Sequence, residues 1–416
     1  MQRGTVGVDR SSLGLIAIVL VAFGIRLVLA KSQTEFAHWP DGEYYLSIAR
    51  NLLHSGEYRN GAGPFPLAPL QSDVGFTSFW LPGYPLVLAG SFWLFGATPV
   101  ALFVVQALLG TLTVLVTGLL GLRLGGRPVG LCAAALVAIS PLQLAQVTRV
   151  ASETLAALLF VVIAWLLVRV LDRVRSGAPR FLDLALLGAA VGFGILSRSA
   201  FVLTGACAFG VLAVHARRYA PAGVAARDLA LVAAVAGLVL LPWFVRNWIV
   251  WDEFVYQTKS GVNLAIGFND TADGRYSTRS LPDVERMGLD ELERDRLLTA
   301  RARDWIVTHP GRAASLGLQK AVMFWSPLHD RHPLSSPAGL ITLLWSAPLL
   351  LASIVQTALI ARSRRAEWLP LLLLTGAYAF THVAAFYASR FRVPVEPVLA
   401  LLTSTGLVAV SRRWTA

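Results

Sequence analysis

Apolar residues along this chain come in long runs rather than in alternation with polar ones. The first, "LGLIAIVLVAFGIRLVLA" at 13 to 30, is long enough as a helix to cross about 30 Å of hydrocarbon. Similar runs recur along nearly the whole length, separated by short segments carrying arginine: Arg3/Arg10, Arg123/Arg127, Arg173/Arg175/Arg180, Arg217/Arg218/Arg227, Arg362/Arg364/Arg365 and Arg412/Arg413. Short loops rich in Lys and Arg stay cytoplasmic, so successive pairs of these clusters must be separated by an even number of crossings. Two apolar pieces break that parity, "PGYPLVLAGSFWLFG" at 82 to 96 and "AASLGLQKAVMFWSP" at 313 to 327. Both are short, and the first opens with prolines, so neither is expected to span. The pattern predicts an all-α polytopic protein of about ten spanning helices. Both termini lie inside, and the two large external segments are 31–98 and 251–337.

Composition agrees with the pattern. Of 416 residues, 56% are hydrophobic and 14% charged, with a mean hydropathy of +0.62, far from a soluble globular domain. No soluble domain of ordinary size separates from the rest, so 1–416 reads as a single membrane domain. The first run ends without a small-residue cleavage pattern and reads as a retained helix. Cys132 and Cys207 both lie in apolar runs, where a thiol behaves as a small hydrophobe and indicates neither a disulfide framework nor a metal site. The net charge of +12 is carried by arginines spread between apolar runs, with no basic cluster interleaved with aromatics, and does not point to nucleic acid.

The topology turns certain charges into anomalies. Asp41, Glu43, Arg50, Arg149, Glu153, Arg198, Arg246, Lys259, Arg390 and Arg392 all fall at or near the external ends of helices. Ionisable groups there are costly unless partnered, snorkelling or functional, and their convergence on one face suits an anionic ligand. In "HWPDGEYYLSIARNLLHSGEY", 38 to 58, Tyr45, Ile48, Ala49, Leu52 and Leu53 recur at helical spacing opposite Glu43, Ser47, Arg50, Asn51 and His54. This predicts a short helix lying on the external surface and ending near Gly56. Asp41 stands where an N-cap would, so its carboxylate either caps the helix or serves as a general base. Glu43 is too early to complete a capping box with it.

The order of motifs resembles the bacterial membrane glycosyltransferases of the GT-C type, in the group of the protein O-mannosyltransferases and the lipid A aminoarabinose transferase. The matching pieces are "PDGEYYLSIARNLLHSGEY", "LPGYPLVLAGSFWLFG", "SETLAALLF" at 152 to 160, "LPWFVRNWIVWDEFVYQTKSGVNLAIGFN" at 241 to 269 and "YASRFRVPVEPVLALL" at 387 to 402. The resemblance implies transfer of one sugar, with inversion, from a polyprenyl-phosphate carrier to a glycan, lipid or protein acceptor. The reaction would take place on the external face of the bacterial cytoplasmic membrane, without a cofactor. The family's essential acid of the first external loop matches Asp41, and its second acid matches Glu153. Many relatives have two adjacent acids where this chain has Gly42 between Asp41 and Glu43.

An inverting displacement needs a base for the acceptor hydroxyl, assigned to Asp41, with Glu43 or Glu153 orienting the acceptor. It also needs cations for the leaving phosphate. Arg390 and Arg392 are the first choice and Arg246 and Lys259 the next. Pro394 disfavours helix at Val393, so the two arginines of "SRFRVP" are expected on an extended entry to the last helix. Asn263 and Asn269, in a Gly/Asn/Asp/Thr-rich stretch expected to be irregular, and Tyr44 are candidates for sugar or acceptor contacts. Residues 283 to 307 read as a solvated amphipathic helix with a covering role. Of the scattered histidines (His38, His54, His329, His332, His382), only "HDRH" at 329 to 332 forms a close pair, and its flanking prolines argue for a loop, so no metal site is expected. The alternative is a lipid or solute transporter, but its charges would sit near the bilayer midplane in repeated halves, whereas the helix centres here are nearly free of charge.

Overall fold

The computed structural model describes residues 10–33, 35–36, 40–61, 75–177, 181–278, 281, 288–363 and 365–414. His38, Arg3, Arg180, Arg364 and 283–287 of the expected amphipathic helix lie outside them. The first half of the chain forms helices α1 (Arg10–Lys31), α2 (Pro40–His54), α3 (Gly83–Phe95), α4 (Pro99–Gly125), α5 (Arg127–Ile139), α6 (Pro141–Val147), α7 (Glu153–Arg175) and α8 (Phe181–Ser197). The second half forms α9 (Ala200–Tyr219), α10 (Ala222–Trp251), α11 (Ser260–Gly267), α12 (Glu291–Thr308), α13 (Pro310–Phe324), α14 (Pro337–Ser363), α15 (Leu369–Thr381) and α16 (Glu396–Trp414). Strands β1 (Arg59–Asn60) and β2 (Gly75–Phe76) pair antiparallel.

Among the described residues seven helices are long and apolar enough to cross a membrane, eight if the pair α5 and α6, bent by 52°, is one span. The expected figure of about ten would need α8 and α15 as well, which are apolar but only 17 and 13 residues long. α3, likewise 13 residues, is about 20 Å long, short of the hydrocarbon thickness. The core helix is α7, buried on nearly every turn. Around it small residues let backbones touch: a Cβ on Gly188 would stand 2.6 Å from Val232 O, and one on Gly192 2.9 Å from Ala236 O. This is the small-xxx-small spacing of close membrane helix pairs, and it locks α8 onto α10.

One helix interior does carry a charge. Arg26 of α1 is fully buried and its guanidinium donates to Ala138 O at 3.0 Å, Val137 O at 3.0 Å and Ala22 O at 3.2 Å. The first two are carbonyls at the C-terminal end of α5, orphaned where the helix breaks before Pro141 and electrostatically suited to a cation. Gly110 of α4 makes the room, since a Cβ there would lie 2.8 Å from Arg26 Nε. The other side of the break is held by Glu396, whose Oε1 accepts from Ser140 Oγ and Trp345 Nε1, both at 2.8 Å. Gln143 then donates to Val393 O at 2.8 Å. The kink therefore ties the segment before α16 to the bundle.

Two sequence expectations change here. The stretch expected to be irregular contains α11, because Gly261 and Gly267 serve close packing rather than turns. A Cβ on Gly261 would lie 2.2 Å from Asp295 O, and one on Gly267 2.2 Å from Ala385 O. Residues Ser389–Val395 form a 3-10 helix, not an extended entry. Burial of Phe391, Arg392, Val393 and Val395 outweighs the modest penalty that Pro394 places on its neighbour. The amphipathic helix starts at Glu291 and packs against α11. Glu291 accepts from Thr77 Oγ1 and Ser78 N, each at 2.7 Å, and from Thr258 Oγ1, joining segment 31–98 to segment 251–337.

Arg26→Met leaves the α5 carbonyls without donors, at about 1–3 kcal/mol for each group left unsatisfied. The unfolding midpoint in detergent should fall clearly below that of Arg127→Met, which changes an exposed residue; equal midpoints would show that Arg26 does not hold the break.

Candidate active site

The helix period decides which residues of α2 face inward. Asp41 and Tyr45 are one turn apart and both line the same open cavity. α2 begins at Pro40, so Asp41 sits in the first turn rather than at the cap, still where a carboxylate is favoured by the helix dipole. Gly42 runs against the bend before α7: a Cβ there would lie 3.0 Å from Val150 Cβ and 3.1 Å from Val150 O. A side chain at position 42 would press on that backbone. Glu43, two residues on and so on the other side of the helix, is not among the cavity residues.

Asp41, Glu153, Arg198 and Arg390 form one chain of ion pairs. Arg390 Nη2 donates to Asp41 Oδ2 at 2.8 Å, and Arg390 Nε lies 3.4 Å from Glu153 Oε1. Arg198 Nη1 approaches the same Glu153 oxygen at 3.0 Å and donates to Ser152 Oγ at 3.1 Å. The Phe391 ring lies 5.4 Å from the Arg198 guanidinium and 5.6 Å from that of Arg390, close enough for cation–π attraction. Burial alone would raise the Asp41 carboxyl, but Arg390, Lys259 and Arg198 outweigh it and hold the group below its ordinary value. The Tyr45 hydroxyl is pushed up by burial and then by Asp41 and Glu153, so it stays protonated and able to donate.

Lys259 completes the cavity. Its Nζ lies 3.2 Å from the centre of the Trp80 ring and 5.1 Å from that of Phe79. The adjacent Thr258 holds it in place, with its N–H on Ser78 O at 3.1 Å and its hydroxyl on Glu291. Burial is the largest effect on the ammonium, and with Arg390 and Arg198 nearby its pKa comes down to about 7, Asp41 and Glu153 offsetting only part of this. Lys320 is lowered by burial to about 8, but it caps α11 through Gly267 O at 3.2 Å and Ala385 O at 3.0 Å, outside the cavity.

The structure brings Asp41, Glu153, Arg390, Lys259 and Asn263 to one cavity and puts the other candidates elsewhere. Arg392 is fully buried, donating to Ser346 Oγ at 2.9 Å and to the carbonyls of Phe324 and Ser326. It holds the 3-10 turn, which points alternate arginines in different directions. Arg246 donates to Tyr58 O at 2.6 Å and Ser78 Oγ at 3.0 Å among the rings of Tyr58, Phe76 and Trp243, fastening the segment between α2 and α3 to α10. Asn269 commits its amide to Ala265 O and its oxygen to Thr271, closing the end of α11. Tyr44 is buried against Trp80, and Tyr45 takes the cavity position.

Arg198, Tyr45, Gln257 and His382 also line the cavity without having been assigned a role from the sequence. Tyr45 was legible as the residue one turn after Asp41; for Gln257 and His382 the sequence holds no signal. His329 accepts through Nδ1 from the N–H of Arg331 at 3.0 Å and of His332 at 3.3 Å, which commits that nitrogen to its own loop. Among the described residues no group of three or more His, Cys, Asp or Glu converges. The cavity's donor set also does not suit a divalent cation, since its two carboxylates share it with three cations and each accepts from a guanidinium.

Residues 81–245 match the family model described as dolichyl-phosphate-mannose-protein mannosyltransferase, a stretch that includes Glu153 and Arg198. No curated protein matches the chain by sequence. Among solved structures, the archaeal oligosaccharyltransferase AglB from Archaeoglobus fulgidus, in complex with an inhibitory peptide and a dolichol-phosphate, aligns with a TM-score of 0.59 at 16% identity over 97% of this chain and 50% of that one. The apo form of the Archaeoglobus fulgidus oligosaccharyltransferase gives 0.61 at 17% identity, over 97% and 51%. ArnT from Cupriavidus metallidurans in the apo state gives 0.43 at 15% identity, over 97% and 78%. The chain thus spans about half the length of the oligosaccharyltransferase chains it matches. The family model covers less than half of the chain, and the likeness to the oligosaccharyltransferase structures is one of fold.

Proposed function

We propose that this cavity transfers one sugar from a polyprenyl-phosphate donor to a hydroxyl of a glycan, lipid or protein acceptor, with inversion, on the external face of the bacterial cytoplasmic membrane. The observation that carries the reading is the Asp41–Arg390–Glu153–Arg198 chain in one open cavity beside Lys259. It puts a carboxylate with base capacity next to three cations suited to a leaving phosphate. The archaeal oligosaccharyltransferase structure holds a dolichol-phosphate, a ligand of that chemistry.

In the reaction the acceptor oxygen attacks the anomeric carbon from the face opposite the phosphate. Its proton passes to Asp41. The bond from the anomeric carbon to the phosphate oxygen breaks, and the electron pair stays on the phosphate. Arg390, Arg198 and Lys259 meet that growing charge with fixed donors in a partly desolvated site, where such stabilisation is strongest. Glu153 carries Arg390 and Arg198 on one oxygen and sets their spacing. Asn263 and Gln257 face the cavity with amides suited to sugar hydroxyls. Arg390 acts twice. In the resting site it depresses Asp41, and an arriving phosphate competes for the same guanidinium. Donor binding would thus raise the basicity of Asp41 at the moment it is needed.

Asp41→Asn should lower the transfer rate by about 10²–10⁴-fold while the unfolding midpoint and donor binding persist; transfer at the wild-type rate would remove Asp41 as the base. The Lys259 ammonium, lowered from 10.5 to about 7, is charged below that pH and neutral above it. The kcat/KM for the donor should therefore fall as pH rises through about 7, and in Lys259→Arg, which keeps its charge, that limb should be absent. An unchanged profile in Lys259→Arg would mean that Lys259 does not bind the phosphate.

A further inference from the structure

A second cavity lies at the other end of the same helices. It is a groove of about 1660 Å³ walled by the last turns of α7 (Val168, Leu171, Arg175), one face of α9 (Cys207 to Tyr219) and the start of α15 (Leu369, Leu373). Glu153 and Arg175 are the first and last residues of α7, so the groove is about 33 Å from the catalytic cavity along that helix, on the opposite membrane face. Its walls are apolar and open: Val214 is 73% exposed, and a Cβ on Gly210 would meet nothing within 4 Å. Its mouth is basic. Arg123 is neutralised by Asp172, with Nε 2.6 Å from Oδ2. Arg175 and Arg218 stand 5.8 and 5.6 Å from the same Tyr219 ring and have no carboxylate partner among the described residues; Glu367 is the remaining acid on the rim.

We infer that this groove binds an anionic phospholipid of the adjoining leaflet, its phosphodiester between Arg175 and Arg218 and an acyl chain along the apolar wall past Gly210. Two exposed guanidinium groups beside one ring offer a shared positive field to a phosphodiester. The apolar wall running from that mouth toward the bilayer fits a lipid better than a free anion, and basic clefts between membrane helices are suited to lipid head groups. The site also bears on the distant cavity. The far end of α7 carries Glu153, α9 begins beside Arg198 and Ser199, and α15 ends at Thr381 and His382, all of which line the catalytic cavity. A lipid wedged among the three helices at one end braces the residues at the other.

The test uses the full chain purified in neutral detergent. Added cardiolipin or phosphatidylglycerol should raise the unfolding midpoint and bind in native mass spectrometry, whereas phosphatidylcholine and inorganic phosphate should do neither. Arg175→Gln/Arg218→Gln should weaken anionic lipid binding by about thirtyfold, and Gly210→Phe, which fills the groove and leaves the charges in place, should abolish it while both variants keep the lipid-free midpoint. Equal stabilisation by inorganic phosphate, or undiminished lipid binding in Gly210→Phe, would overturn the proposal. None of these readouts depends on sugar transfer.

Discussion

The arrangement turns on one guanidinium. Arg390 reaches Asp41 on one side and Glu153 on the other, joining α2, the start of the central helix and the entry to the last helix. Carboxylates this deep persist only when paired, so Asp41, Glu153, Arg198 and Arg390 are each held in place by the rest. The pairing also means that no member changes alone: moving Arg390 alters the basicity of Asp41 and the charge balance at Glu153 together.

That guanidinium is placed by other buried charges acting as mechanical ties. Arg26 holds the α5 end of the kink at Ser140, Glu396 holds Ser140 and Trp345, and Arg392 holds the 3-10 turn against Phe324 and Ser326. Near the cavity Glu291 gathers Thr77, Ser78 and Thr258, which sets Lys259 over Trp80. Burial pushes the Glu291 carboxyl up even so, a sign that the hydrogen bonds offset rather than cancel the desolvation. The buried charges named here thus fall into two groups: those that fasten backbone breaks, and those left facing the cavity.

The sequence does not distinguish the two groups, and this is where its reading stops. Hydrophobic runs and arginine clusters were enough to read an all-α membrane fold and the interfacial α2, because run length and helical period are local properties. Asp41, Glu153 and Arg390 were legible from their place at helix ends, with the family resemblance sharpening the choice. Arg392 was indistinguishable from Arg390 in "SRFRVP" because the outcome depends on the twist of a 3-10 turn, which places neighbours about 120° apart. Arg246 and Asn269 were misread for a related reason: each looked like a free polar group until its carbonyl partners, distant for Arg246 and local for Asn269, were known. The glycines of α11 read as loop formers, since close backbone approach leaves the same mark on a sequence as a turn.

Gly42 shows how such constraints shape chemistry. A second acid directly after Asp41 would set its Cβ within 3.0 Å of Val150, against the bend that delivers Glu153 to the cavity. With glycine there, α2 can approach that bend, and the acid partner of Asp41 comes from α7 instead of from its own helix. Two carboxylates side by side on one helix would repel and raise each other's pKa. Separated onto two helices and bridged by Arg390, both stay ionised, and the bridge is itself a group that a phosphate can draw away. In the proposed reaction the resting site holds Asp41 as a weak base, and a phosphate that draws Arg390 away would raise the basicity of Asp41.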